Sequence, residues 1–581
     1  MNDDVPTLLS LGSDDYDSIL SAFEWDIPSS FNVAKAVCTR HADGRKRLAL
    51  IAENESGESA RYSFDDIEDL SLRLASAFRA LGVERGDRVA VVLPQRLETA
   101  LVHLAAHHLG AISLPLSVLF GDEALQYRLI DSGSKLVVTD PSHADLIESF
   151  RHDLPELATL LEVATDAPVS METLELFSAS ANDSESGITT DEKACAKEDF
   201  WQLLTSSAPL ENPVSTSADD PAFLLYTSGT TGPPKGALIA HRSLLGNLTG
   251  FEASHNGFPV ADDILYTPAD WAWTGGLLDG LLPAWYYGVP VVAYDSKKFH
   301  PDAIMSLMSR HKVTCAFIPP TALKMLRSKA DLFDRYKLSL RSVMSAGETV
   351  GEELFTWGCE TLGIEINEMC GQTEHNYLMG NCSAQLAVKP GSMGKAYPGH
   401  RVAILGNDGA LLDDGEVGQI VAHRDDPVHF LGYWNKPDAT RKKYTGDWFH
   451  TGDVGYRDSD GYLWFVGRDD DVISSAGYRI GPGEIENCAL SHPAVLQVAA
   501  IGVPDPDGIR GDIVKLCVVL RAGENPSASL ESSLGQHVRH HLAAYEYPRL
   551  IEFMDALPLT TTGKVRRNIL REWHEGEVND D

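Results

Sequence analysis

Cysteine is scarce and unpatterned. The eight in 581 residues (38, 195, 315, 359, 370, 382, 488 and 517) show no C-x-x-C spacing. That excludes a disulfide scaffold and gives no indication of a zinc site, and the default compartment is a reduced cytoplasm. Positive charge is also short: 48 Lys and Arg against 84 Asp and Glu give a net charge of −36. Nucleic acid and anionic membrane are therefore excluded as general partners, because either would be repelled. The excess reads as a solubilising acidic surface of the kind that suits a saline cytoplasm. Long apolar runs are missing too. "GGLLDGLLPAWYYGVPVVAY" is interrupted by Asp279 and two prolines, so no integral membrane segment is expected. The opening "MNDDVPTLLSLGSDDYDS" lacks a basic stretch followed by an apolar core, so no secretory signal is expected.

A P-loop is missing as well, although one stretch imitates it. "YTSGTTGPPKGA" (Tyr226–Ala237) crowds glycines, hydroxyls and one lysine together. Laid from Gly229, the pattern G-x-x-x-x-G-K-[ST] needs glycine at 234 and a hydroxyl at 236. The chain has Pro234 and Gly236. The hydroxyl that would hold magnesium is absent, and a proline stands where a helix should open.

What is present begins with length, which calls for two or more domains. Apolar residues make up 43% and charged residues 23%, a globular balance. From about residue 60 helical and strand patterns alternate. "FDDIEDLSLRLASAFRALG" and "ETALVHLAAHHLGA" have helical spacing, and "RVAVVLP", "AISLPL" and "KLVVTD" read as buried strands. This predicts α/β layers with largely parallel strands. "LLYTSG", "VPVVAY", "TCAFIPP" and "SVMSAGE" continue the strand series. The stretch 165–219 is rich in Ser, Asp and Glu and is expected to be a surface excursion. "HRVAILGNDGALLDDGEVGQIVAH" predicts hairpins of a β-rich subdomain, and a smaller α+β unit follows. The boundary falls near Arg468–Asp471, which gives domains 1–468 and 469–581. No internal repeat is evident.

Read physically, the 226–237 loop offers backbone N–H groups, several hydroxyls and one cation, the equipment of an anion nest. Further motifs follow in order: "SAGE" (345–348), "CGQTE" (370–374), "TGD" (451–453), "GRDDDVISSAGYRIGPGEIE" (467–486) and "PLTTTGKVRR" (558–567). Singly each has an ordinary reading as a turn, a solvated loop or a surface cation cluster. In this order and spacing they resemble the adenylate-forming superfamily of acyl-CoA synthetases, nonribosomal adenylation domains and luciferases. The resemblance runs from about residue 30 to 575, and "GRDDDVISSAGYRIGPGEIE" with "YEYPRLIEF" looks most like the medium-chain acyl-CoA synthetase branch.

The resemblance implies a large N-terminal domain of two α/β sheets plus a distorted β-barrel, and a small mobile α+β C-terminal domain. It also implies two half-reactions: acyl-adenylate formation from ATP and a carboxylic acid, then thioester formation with CoA. By the same resemblance Thr227, Ser228, Gly229, Thr230, Thr231, Gly232 and Lys235 hold the β- and γ-phosphates. Glu374 holds Mg²⁺, and Thr373 contacts a phosphate. Gly347, Glu348 and Thr349, with Glu368, Cys370, Gly371 and Gln372, line adenine. Asp453 accepts the ribose hydroxyls, with Arg468 beside it, and Lys564 bridges the acid and the α-phosphate. Asp470 is the hinge and Arg479 a conformation-dependent nucleotide contact. Gly477 opens the pantetheine tunnel, and Arg539 contacts a CoA phosphate.

Two departures stand out. Cys370 replaces the aromatic residue that often opens the Y-G-x-T-E motif, with Tyr377 too far along to substitute. Ala476 replaces a common serine of the CoA loop. Where acetate-specific relatives close the acyl pocket with a tryptophan this chain has Gly371, so a longer or bulkier acid is expected, walled by Trp273, Thr274 and Gly275. Trp271 reads equally as a core residue. An acid–CoA ligase is the leading reading, and a homodimer is one expectation for its assembly. A carrier-loading adenylation enzyme is disfavoured because no carrier module follows Asp581, and no luciferin pocket is recognisable. A nucleotide-binding regulator without turnover is disfavoured because Lys235, Glu374, Asp453, Arg468 and Lys564 are all present.

Overall fold

Runs of Val, Ile and Leu with no polar alternation can be satisfied only where both faces of a strand are covered. In the computed structural model they occupy the middles of two large sheets. The structure describes residues 6–11, 15–174, 197–227, 233–296, 298–469, 471–475, 478–506, 512–542, 546–560 and 563–580. The first sheet has eight strands in the order Gly432–Tyr433, Lys235–Ala240, Pro221–Thr227, Ile112–Pro115, Arg88–Val92, Leu136–Thr139, Thr159–Glu162 and Lys197–Asp199. Pairing is parallel from Pro221–Thr227 to Lys197–Asp199 and antiparallel at the Gly432 edge. Its core joins Val92, Leu114, Val137, Leu160 and Leu224 to Leu125 and Leu129 of the helix Asp122–Ser132.

The second sheet has nine strands. Its parallel middle is built from Leu48–Asn54, Val291–Asp295, Leu265–Tyr266, Cys315–Phe317, Ser342–Ala346 and Asn367–Gln372. Ser59–Ser63, His375–Gly380 and Lys395–Ala396 add antiparallel edges. The helix Phe64–Ala80 starts where Ser63 and Asp66 form a capping box: Ser63 Oγ accepts the Asp66 N–H, and Asp66 Oδ2 accepts the Ser63 N–H at 2.9 Å. Phe64, Ile67, Leu70, Leu74 and Phe78 then fall on its buried face.

The predicted hairpins are present. Val402–Leu405 pairs antiparallel with Gly418–His423, in a five-stranded sheet that includes Trp448–Arg457 and Leu463–Arg468. Beyond it the α+β pattern appears as the hairpin Ile473–Ser475 with Tyr478–Ile480 and a three-stranded sheet of Val495–Pro504, Asp512–Leu520 and Leu550–Phe553. Helices Pro482–Leu490, Ala528–His541 and Arg567–Asp580 accompany them. The chain divides into two compact units. One holds residues up to Thr227 with Pro234–Arg401 and His423–Lys442; the other holds Val402–Ala422 and Lys443 onward.

One expectation needs correction. The flanks of the stretch read as a surface excursion are part of the fold. Lys197–Asp199 is an edge strand of the eight-stranded sheet, and the helix Phe200–Ser206 buries Phe200, Trp201 and Leu204. Tyr62 Oη donates to the Val169 carbonyl at 2.7 Å. A short apolar cluster, "FWQLL", was hidden by its polar surroundings. Residues 175–196 lie outside the described residues. Among the described residues no helix is long and apolar enough to cross a membrane, and none of the seven described cysteines is in a disulfide.

Candidate active site

Thr227, Gly347, Thr373 and Glu374 fall at strand ends or in the turns that follow them, where an α/β sheet presents its crevice. Thr227 ends a sheet strand and Lys235 begins its antiparallel partner; the two are opposite in register, with Thr227 Oγ1 donating to the Lys235 carbonyl at 3.3 Å. Ser228, Gly229, Thr230, Thr231 and Gly232 lie outside the described residues. Tyr127 Oη donates to the Pro234 carbonyl at 3.0 Å and ties the returning limb to the helix Asp122–Ser132.

Glu374 sits in the turn between Asn367–Gln372 and His375–Gly380, with Thr373 half-buried beside it. Its carboxylate is buried, 7% exposed. Glu374 Oε1 accepts the Tyr433 hydroxyl at 2.5 Å, and the Glu374 carbonyl accepts the Phe430 N–H at 3.0 Å. Lys235 Nζ stands over the ring of the same tyrosine, 5.4 Å from its centroid. One aromatic side chain thus contacts both the cation and the carboxylate. Behind the turn a buried network fixes the backbone: His400 Nδ1 and His375 Nε2 lie 2.7 and 3.2 Å from Asp426 Oδ2, and His375 Nδ1 meets His429 Nδ1 at 3.0 Å. Burial opposes ionisation of Asp426, yet the adjacent His400 and His375 hold its carboxyl well below the usual range.

The 345–349 turn is shaped by Gly347, whose φ of +96° favours glycine. Glu348 accepts the Thr321 hydroxyl at 3.2 Å, and Thr349 is exposed. Glu368 is buried and accepts the Val350 N–H at 3.2 Å; burial pushes its carboxyl up to about 8. That bond holds the residue that follows the turn. Cys370 and Gln372 are half-buried on the same strand. Tyr377 is fully buried, its ring packed against Gly250, so it does not stand in for the missing aromatic residue.

Gly371 carries a different constraint from the one read in the sequence. A Cβ there would lie 2.7 Å from the Tyr377 nitrogen and 3.2 Å from Asn376 Cα. The close return of the hairpin therefore gives a backbone reason for the absence of a side chain at this position. Any side chain at 371 demands a different backbone. Trp273 is half-buried, its ring 5.7 Å from Phe120, and a Cβ on Gly275 would meet the Phe317 ring at 2.9 Å. Thr274 opens the short helix that follows. Trp271 is fully buried core. Gln95 Nε2 donates to the Ala269 carbonyl at 2.6 Å, and Ser117 Oγ donates to Asp270 Oδ2 at 2.8 Å, so this segment is held at its N-terminal end.

Asp279, noted in the sequence only for interrupting an apolar run, lies buried in a π-helical turn and accepts a hydrogen bond from Asn376 Nδ2. Burial pushes its carboxyl up to about 7 against that bond. A carboxyl raised this way keeps a proton in the folded chain that the unfolded chain has already lost. Folded stability therefore falls as pH rises from about 4 towards 7, by about 1.4 kcal/mol per pH unit from this group. Asp279→Asn removes the titration. Urea midpoints of variant and wild type compared at pH 5 and pH 8 should show the variant gaining relative stability at the higher pH. A constant difference would mean that Asp279 is ionised in the fold.

In the second unit Asp453 and Arg468 face each other across paired strands, with Arg468 Nη1 2.8 Å from Asp453 Oδ1. Gly452 makes this approach close: a Cβ on it would strike the guanidinium at 2.8 Å. Burial raises the Asp453 carboxyl, and Arg468, Lys443 and Lys564 oppose the rise. Lys564 is exposed and follows a tight turn in which Gly563 has φ +84° and Thr560 N–H donates to the Lys564 carbonyl at 2.7 Å. Arg479 lies on Tyr478–Ile480, opposite Ser474. Arg539 is exposed on Ala528–His541, 5.9 Å from the Tyr547 ring centroid. Asp470, Ala476 and Gly477 lie outside the described residues.

Two contributors escaped sequence reasoning. Tyr433 belongs to "FLGYWNKP", whose glycine and paired aromatics on a short strand were the available signal. Asp279 gave no signal beyond a charge in an apolar run.

Residues 38–434 match the family described as AMP-binding enzyme, and residues 484–564 match the AMP-binding enzyme C-terminal domain. The acyl-coenzyme A synthetase ACSM3, mitochondrial, of Mus musculus is 33% identical over 96% of this chain and 93% of its own length. The acetyl-coenzyme A synthetase of Bacillus subtilis (strain 168) is 33% identical over 93% of this chain and 90% of its own length. Among solved structures, the anthranilate CoA ligase AuaEII in complex with anthranoyl-AMP is similar with a TM-score of 0.80 at 26% identity, covering 95% of this chain and 99% of that one.

Proposed function

The chain belongs to the AMP-binding enzyme family and is an AMP-forming acyl-CoA ligase, and from that premise we propose that its acid is larger than acetate: a short- or medium-chain, branched or aromatic monocarboxylate. The observation that carries the size reading is Gly371, where no side chain stands and none can be added without moving residues 376–377. A pocket-closing tryptophan is therefore incompatible with this backbone. The anthranoyl-AMP held by one similar structure supports an aromatic acid, whereas the acetyl-coenzyme A synthetase relative sets the opposing expectation. A pyrophosphate-release screen over linear acids from acetate to dodecanoate, branched acids and aromatic acids tests it. Acetate should fall at least about tenfold below the best acid, the discrimination that one or two methylenes supply in an apolar pocket. Acetate as the best substrate would overturn the reading.

In the first half-reaction an oxygen of the acid attacks the α-phosphorus of ATP, the bond to the β-phosphate breaks, and pyrophosphate leaves. Because an anion approaches a polyanion, oriented donors and cations are the main requirement. We assign Thr227, residues 228–232, Lys235 and Thr373 to the phosphates. Gly347, Glu348, Thr349, Cys370, Gly371 and Gln372 are assigned to the adenine side, Glu368 acting through the turn it holds. Asp453 accepts the ribose hydroxyls and Arg468 neutralises Asp453. Glu374 fits magnesium as a single hard carboxylate with one oxygen steadied by Tyr433. Bound there, the ion would offset the charge of the phosphates.

In the second half-reaction the CoA thiol, losing its proton, attacks the acyl carbonyl, and AMP leaves with the bonding electrons. Ala476, Gly477 and Arg539 are assigned to CoA, and Asp470 to the hinge between domains 1–468 and 469–581. A reducing compartment, the cytoplasm, suits described cysteines that form no disulfide.

A further inference from the structure

The absence of C-x-x-C spacing argued against a soft-metal site, but spacing along the chain does not see two helices brought together. In the second unit, Pro482–Leu490 and Ala528–His541 share a core through Ile485, Ala489, Leu534 and Val538. At the outer margin of that core, Cys488 Sγ and one ring nitrogen from each of His537 and His541 lie within 4.8 Å of one another. His537 and His541 are one helical turn apart, so their rings stand side by side with centroids 4.4 Å apart.

The hydrogen bonds around the two rings decide where their lone pairs are. His541 Nδ1 faces the His537 carbonyl at 2.8 Å, and a carbonyl only accepts, so Nδ1 carries the proton and Nε2 the lone pair. Ser491 Oγ donates to the Cys488 carbonyl at 2.7 Å, which leaves that oxygen to accept from His537 Nε2 at 2.7 Å. His537 Nδ1 then keeps its lone pair. His492 is a wall of the site and not a ligand: its Nδ1 accepts the Ala494 N–H and its Nε2 faces Ser533 Oγ, each at 3.3 Å. Two imidazoles with anchored tautomers and a thiol form the donor set of a borderline-soft divalent cation.

We propose that Cys488, His537 and His541 bind a divalent cation of the zinc class, the exposed face of His541 leaving a further position for water or an exogenous ligand. The ion joins the helix that follows the 473–480 hairpin to Ala528–His541, and thus adds a link between two elements that already share an apolar core.

The test uses the full-length chain, free of any affinity tag and stripped with EDTA, with Co²⁺ as the probe. One equivalent should produce a thiolate-to-cobalt charge-transfer band in the near ultraviolet, and Zn²⁺ should displace it. Cys488→Ser should lose that band. His541→Ala, at an exposed position where folding is not at stake, should weaken Co²⁺ binding by at least about tenfold. No thiolate band at one equivalent, or unchanged affinity in His541→Ala, would overturn the proposal.

Discussion

Replacing Lys564 with alanine should abolish acid-dependent pyrophosphate release while largely sparing thioester formation from supplied acyl-adenylate. Lys564 is a point charge on a flexible stem, projected from the turn closed by Gly563 and Thr560. In the proposed mechanism its work is confined to the step in which a carboxylate must reach a phosphate. Cations aimed at developing charge in an adenylating site stabilise a state that does not occur in the second half-reaction. Removal of such a group costs on the order of a hundred- to a thousandfold in rate. The second half-reaction should stay within a few fold of wild type, because AMP is then a leaving group and no new anion–anion approach is made. Separate assays of the two half-reactions give the measurement. Equal losses in both would mean that Lys564 serves folding or general nucleotide affinity.

Asp453→Asn should behave differently, with both half-reactions lost together. The ribose is present in ATP and in the acyl-adenylate alike, so its anchor matters throughout. Each hydrogen bond from a hydroxyl to a carboxylate contributes roughly 1.5–3 kcal/mol. Two such bonds weakened to amide contacts lower kcat/KM for ATP by about a hundred- to a thousandfold. The burial of Asp453 and its 2.8 Å contact with Arg468 make the charge count for more than it would on an open surface. Loss of the carboxylate also removes the charge that faces Arg468 at 2.8 Å, which adds to the cost. The ratio of the two half-reaction losses, near one for Asp453→Asn and very far from one for Lys564→Ala, separates anchoring from catalysis. A variant that lost only one half-reaction would remove Asp453 from the ribose.

Most of the fold was legible because its interior strands announce themselves as unbroken apolar runs between helical stretches. "RVAVV", "LVVT" and "SVMSA" are interior strands as read. The hairpin Val402–Leu405 with Gly418–His423 was equally plain, since its Gly and Asp turn residues stand between two alternating runs. Legibility failed where local pattern and long-range partner disagree. The helix Phe200–Ser206 is too short to impose a period and is flanked by acidic, serine-rich chain. Tyr433 reaches Glu374 across 59 residues, a contact that no spacing argument proposes. Gly371 was read for the side chain it lacks, when the approach of Tyr377 explains why it lacks one. The Cys488, His537 and His541 cluster is again a product of helix packing, with its ligands on two elements separated by two sheet strands.

The central claim is that the acid is activated through its own oxygen as an acyl-adenylate. It is tested most directly by incubating enzyme, ATP, CoA and an acid isotopically labelled in both carboxylate oxygens. One labelled oxygen should appear in AMP, none in pyrophosphate, and thioester should form in a one-to-one ratio with AMP. Label recovered in inorganic phosphate with ADP as the nucleotide product, or thioester formed without label in AMP, would contradict it.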